Sequence, residues 1–157
     1  MDNLAGLGEQ GSVNLNLRTD YSLRLLVYLS VYPGENVTVA RVAKAYDISA
    51  HHLTKVAQML GTLGVIDLVR GRSGGVRLAK APDQISLGQV VRRVEGEQVL
   101  VECFDPKTNT CAISPACGLK RVLAEAQRAF FSVLDRYTLA DVGGNPEVLR
   151  RIFEFSA

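Results

Sequence analysis

Three short helical segments, then two strand-like runs around a glycine-rich turn, then a long helix with an apolar stripe predict a mainly α fold with a small β-hairpin wing. This is a winged helix-turn-helix followed by a long C-terminal dimerisation helix. At 157 residues, 47% hydrophobic and 22% charged, the chain suits one compact domain with an appendage and is too short for two full-sized domains. No stretch approaches the run of about 20 apolar residues that spans a bilayer. The opening MDNLAGLGEQGSVNLNL lacks the basic start and apolar run of a signal peptide, so the expected place is the cytoplasm, with no membrane partner.

Residues 1–16 show no sustained periodicity and are expected to form a flexible N-terminal extension. From Asp20 to Tyr32, DYSLRLLVYLSVY is apolar almost all round, which predicts a buried helix capped by Asp20 and ended by Pro33-Gly34. Thr38 caps a short helix, VARVAKAY, whose Val39, Val42 and Ala43 share a face. After a turn at Asp47-Ile48, Ser49 caps AHHLTKVAQMLGTLG, with Leu53, Val56, Ala57 and Leu60 inward and Gly64 at its end. VIDLVR and VRLAK then read as strands flanking Gly71-Arg72-Ser73-Gly74-Gly75. These elements make a DNA-binding domain over 17–85.

Residues 86–157 hold what remains. Ser86 caps LGQVVRRVEG, an irregular segment runs from Glu97 to Cys117, and a long helix extends from about Ser114 to Tyr137. On it, Leu119, Leu123, Ala126, Phe130, Val133 and Tyr137 are spaced 4, 3, 4, 3 and 4, a heptad seam that predicts a homodimer. Thr138 caps LADV, and Asn145-Pro146 opens a last short helix expected to pack back on that seam.

Charge separates the two halves. Arg18 to Arg93 carries 11 Lys and Arg against 5 Asp and Glu, whereas Val94 to Ala157 carries 7 against 9. A basic first half suits double-stranded DNA, because neutralising phosphates releases condensed counterions. The third helix offers Ser49, Ala50, His51, His52, Lys55 and Gln58 near its N-terminal end, where a recognition helix meets base edges in the major groove. The hairpin adds Arg70, Arg72 and Arg77 for a phosphate strand or a minor groove. His51 and His52 point about 100° apart on a helix and have no acidic partner at helical spacing, so DNA contact fits them better than a metal.

All three cysteines fall within ECFDPKTNTCAISPACGL, as Cys103, Cys111 and Cys117. An odd, clustered set in a reducing compartment points to a metal or redox site rather than disulfides. The seven- and five-residue gaps can gather three sulfurs but lack the tight knuckle of most structural zinc sites, and a fourth position is left to be filled. A structural zinc site stays open on this reading. A thiol enzyme would need a base and an orienting partner, and no such pattern is present.

RTDYSLRLLVYL, RGRSGGVRLAK, the cysteine segment ending PACGL, and LDRYTLADV together resemble the Rrf2 family of bacterial transcription regulators, from about Val13 to Val142. Within it, TDYSLR, ECFDP, NTC and PAC look most like the nitric-oxide-sensing repressors. That resemblance implies a homodimer on a palindromic operator with an iron–sulfur cluster, 4Fe-4S or else 2Fe-2S. Its ligands would be Cys103, Cys111, Cys117 and, across the dimer, Asp20 near the start of the first helix. Nitric oxide would be the signal. The first cysteine gap is longer than in several members of that branch and resembles the iron-responsive branch, which keeps iron sensing as the alternative. A further branch has a His three residues after the last cysteine, where this chain has Lys120. In the family a Met stands at the place of Val13, so translation is expected to start there, with residues 1–12 dispensable.

Overall fold

A computed structural model describes residues 14–96 and 99–155. The expected extension over 1–16 and the expected start at Val13 therefore fall almost wholly outside the described residues.

Helix α1 (Leu17–Val31) runs through the centre of the domain, with Leu25, Leu26 and Leu29 essentially without solvent exposure. Each such side chain contributes about 1.5–3 kcal/mol by leaving water. Asp20 is not its cap. Asn16 holds that position: its side chain accepts from Thr19 N at 2.8 Å, while its own N and Nδ2 donate to the Glu95 carboxylate at 3.0 and 2.8 Å. The first turn starts before Asp20 because a partner 79 residues away fixes Asn16, which local periodicity does not register.

Helices α2 (Val39–Ala45) and α3 (Ala50–Thr62) start where expected, since Thr38 and Ser49 accept from the N–H three residues on. Asp47 takes φ 50° in the turn between them. Leu53, Val56, Ala57 and Leu60 are buried, which turns the polar side of α3 outward. Strands β1 (Ile66–Val69) and β2 (Gly75–Leu78) pair antiparallel with Asp67 opposite Arg77. Val37 exchanges two backbone hydrogen bonds with Val76, at 2.9 and 2.8 Å. A Cβ at Gly75 would lie 2.6 Å from Val37 O, so only glycine lets this third segment close on the hairpin.

Helix α4 (Leu87–Glu95), capped by Ser86, packs on α1. The expected long helix is shorter at both ends: α5 spans Gly118–Leu134, preceded by a 3-10 turn over Ser114–Ala116. Cys117, with ψ 111°, breaks the two apart and becomes the N-cap of α5. Arg92 fastens α4 to α5, giving Asp135 two hydrogen bonds at 2.5 and 2.7 Å and lying 4.4 Å from the Phe131 ring. Helix α6 (Leu139–Val142) follows Thr138, whose N and Oγ1 both donate to Asp141.

Helix α7 (Pro146–Phe155) docks on α1 rather than on the α5 seam, with Phe153 buried against Tyr28. The seam itself is uncovered in the single chain. No α5 residue is buried, and Leu119 is 63% exposed, Phe130 36%, Val133 43% and Tyr137 44%.

Candidate functional site

Two regions carry the chemistry. The first is the exposed side of α3 with the wing. His51, His52, Thr54, Lys55 and Gln58 all face solvent there. The imidazoles stand 6.0 Å apart, centroid to centroid, with rings tilted 51°. Ser49 is occupied as the helix cap, accepting from His52 N at 3.4 Å. Arg70 and Arg72 extend from the wing with no ion-pair partner among the described residues, whereas Arg77 lies back along the sheet against Asp67, Nε to Oδ2 3.3 Å. Arg70 and Arg72 are thus free to meet a phosphate strand, and Arg77 is half-committed.

A cavity of about 420 Å³ opens between α1 and α3, lined by Leu17, Arg18, Tyr21, His52, Lys55 and Met59 among others. It brings Arg18 beside the two polar residues of α3. Sequence reasoning missed Arg18 because it started the first helix at Asp20; reading Asn16 as the cap would have put Arg18 on the helix.

The second region is the cysteine segment. Cys103 and Cys117 are half-buried, Cys111 is exposed, and all three are free thiols. The first gap is closed by its own polar residues. Glu102 accepts from Thr110 N and Oγ1 at 2.5 and 2.6 Å, and Asp105 accepts from Lys107 N and Thr108 Oγ1 at 2.9 and 3.0 Å. Those hydrogen bonds hold the Glu102 carboxyl below the usual carboxylate range. The neighbours of Cys103 and Cys111 are thereby tied together across the seven-residue loop. Cys117 borders an open groove of about 820 Å³ whose lining includes Phe104, Lys120, Arg121 and Arg128.

The donor set suits an iron–sulfur cluster in kind: three uncombined thiols on one segment, with Cys117 at the edge of a basic groove that complements a net anionic group. The conformation described does not gather them, since no group of three or more His, Cys, Asp or Glu side chains among the described residues is arranged to hold a metal ion. Asp20 lies apart on α1, where Arg24 pairs with it at 2.8 Å.

Residues 15–145 match the family model described as "Rrf2: Iron-dependent Transcriptional regulator". The chain belongs to the Rrf2 family. It is 49% identical over 144 residues to the HTH-type transcriptional regulator NsrR of Shouchella clausii, spanning 91% of this chain and 97% of that relative. The NsrR of Bacillus subtilis is 47% identical over 87% of this chain and 94% of its own length. Among solved structures, the Bacillus subtilis cysteine regulator CymR superposes with a TM-score of 0.68 at 24% identity, covering 84% of this chain and 97% of that one. IscR of T. potens does so with 0.67 at 24% identity, covering 83% and 85%. These two carry the fold. As an Rrf2 member with NsrR relatives the chain is a DNA-binding transcription regulator of the winged-helix type and not an enzyme. No helix among the described residues is long and apolar enough to cross a membrane.

Proposed function

We propose that the protein is a homodimeric repressor that senses nitric oxide through a 4Fe-4S cluster, or a 2Fe-2S cluster, and leaves a palindromic operator on nitrosylation. The observation that carries this reading is the set of three free thiols on one segment, the last of them, Cys117, bordering a basic groove, in a chain 49% identical to an NsrR regulator. Cys103, Cys111 and Cys117 would hold the cluster together with Asp20 of the partner subunit. When bound, the cluster supplies iron that combines with nitric oxide, most readily at the carboxylate-held corner, because carboxylate is a weaker partner than thiolate.

The chain's own residues do the rest. Asp20 stands on α1, the helix that packs against α3, so its partner bears directly on the recognition element. Closure of the Glu102 to Thr110 loop keeps the segments carrying Cys103 and Cys111 together. Cys117 caps α5, where helix N–H groups suit an anionic ligand set. Pairing of two α5 seams would bury Leu119, Phe130 and Val133 and set two α3 helices one DNA turn apart, about 34–36 Å. Ser49, His51, His52, Lys55, Arg70, Arg72 and Arg77, with Arg18 added, form the DNA face.

Anaerobic purification followed by metal and sulfide analysis tests this. About four iron and four sulfide per subunit, with a visible spectrum and operator release that both respond to nitric oxide, are expected. One zinc and no sulfide would replace the sensor with a structural site. The long first cysteine gap favours one second reading, an iron-responsive repressor of the RirA type. In that case iron chelation releases DNA and nitric oxide does not.

A further inference from the structure

The C-terminal helix reaches the turn that aims α3. Phe153 lies 4.6 Å from the Tyr28 ring and meets Tyr46 edge-on at 5.3 Å, and Tyr28 meets Tyr46 edge-on at 6.3 Å. Tyr46 is the C-cap of α2, and Asp47 and Ile48 are all that separate it from the Ser49 cap of α3. Its N–H donates to Val42 O, Asp47 N to Lys44 O and Ile48 N to Ala43 O, so the turn is one hydrogen-bonded unit that follows Tyr46. One turn earlier on α7, Arg150 donates from Nε and a terminal nitrogen to Val31 O, at 3.1 and 2.8 Å. That guanidinium also stands 5.7 Å from the Tyr32 ring, which packs on Tyr28 at 5.0 Å and has Arg41 of α2 4.4 Å away.

We propose that Phe153 and Arg150 are positioning residues for operator binding: α7 holds the α2–α3 turn through Tyr46 and the end of α1, so the setting of the recognition helix depends on the C-terminal helix. Neither residue touches DNA. Both act by removing alternative tilts of the turn, adding ring and guanidinium contacts from α7 to the hydrogen bonds and core packing that already hold Tyr46 and Ile48. The inference rests on α3 as the DNA-reading element and needs no cluster.

The test uses the full chain and, as probe, a duplex selected in vitro by the wild-type protein, with an unselected duplex for comparison. Phe153→Ala should keep its circular dichroism, bind the selected duplex about tenfold more weakly, the scale of coupling between sites, and bind the unselected duplex as wild type does. Amide hydrogen exchange should quicken over 46–53 and stay unchanged in β1 and β2, and Phe153→Leu should recover much of the binding. Arg150→Ala should give the same pattern more weakly, and decides the matter if Phe153→Ala does not fold. Unchanged binding and exchange in a folded variant overturns the proposal, and so does exchange that quickens equally in the wing, because that is general destabilisation. Retained binding in Lys55→Ala would instead remove α3 as the reader, a separate failure.

Discussion

At the scale of single residues, charge and capping separate cleanly. Lys55 and Arg72 are exposed on the two arms of the proposed DNA face, and neither forms an ion pair among the described residues. Replacing either by Ala should weaken operator binding and lower the slope of log affinity against log salt by about one unit, measured by titration at several salt concentrations. Unchanged slopes in both would take this face out of the interface. Asp20 gives the sharper case. Because Asn16 caps α1 and Asp20 does not, Asp20→Asn leaves the cap intact and removes only the anionic oxygen and its Arg24 pair, an exposed pair worth about 0–1 kcal/mol. The variant should melt within a few degrees of wild type yet retain less iron and sulfide after gel filtration. Full retention would return Asp20 to a surface ion pair. Asp20 was legible as a carboxylate near the first turn, but its role as cap was misread. The choice between it and Asn16 is made by Glu95 from the far end of α4.

At the scale of elements, what was legible is what local chemistry decides. Thr38, Ser49 and Ser86 each accept from the backbone N–H three residues on, and the helices they begin stand where the sequence put them. The hairpin was equally visible, because Gly71, Gly74 and Gly75 punctuate alternating strands. The docking site of α7 was not visible. An amphipathic helix declares that one face is covered but not by what, and Phe153 found α1 instead of the seam. The beginning of α5 also escaped, since the break at Cys117 follows a separate turn around Pro115. The α4–α5 junction carries its own test. A Cβ at Gly88 would overlap the Asp135 carboxylate, which Arg92 already holds in a two-point grip. Gly88→Ala should therefore lower stability by about 1–3 kcal/mol in denaturant unfolding, as overpacking does. No loss would mean that α5 shifts away without cost.

For the whole molecule, the decisive fact is an apolar seam that the single chain leaves in water. Phe130→Asp should change little within one chain, where the side chain is 36% exposed, but in the proposed dimer would put an unpaired charge into the middle of the seam at a cost of several kcal/mol. Sedimentation at micromolar concentration should give a dimer for wild type and a monomer for the variant, and the monomer should lose most affinity for a two-half-site duplex while keeping its circular dichroism and melting lower, by the stability that association lends. A wild-type monomer would refute the α5 pairing.

The ring cluster under α7 also makes the protein its own optical reporter. There is no tryptophan, and of five tyrosines Tyr28, Tyr32 and Tyr46 stand together at the α1, α2 and α7 junction. Ultraviolet emission and phenolate absorbance therefore watch the docking of α7 against α1 and the end of α2. Burial raises Tyr28 above its ordinary range and pushes Tyr46 up to about 12. An unfolded tyrosine ionises near about 10, so the stability that these rings lend is complete below that pH and is lost as pH rises toward 12. In an alkaline titration Tyr46 should ionise late in wild type and earlier in Phe153→Ala, which turns a change in helix docking into a change in ultraviolet absorbance.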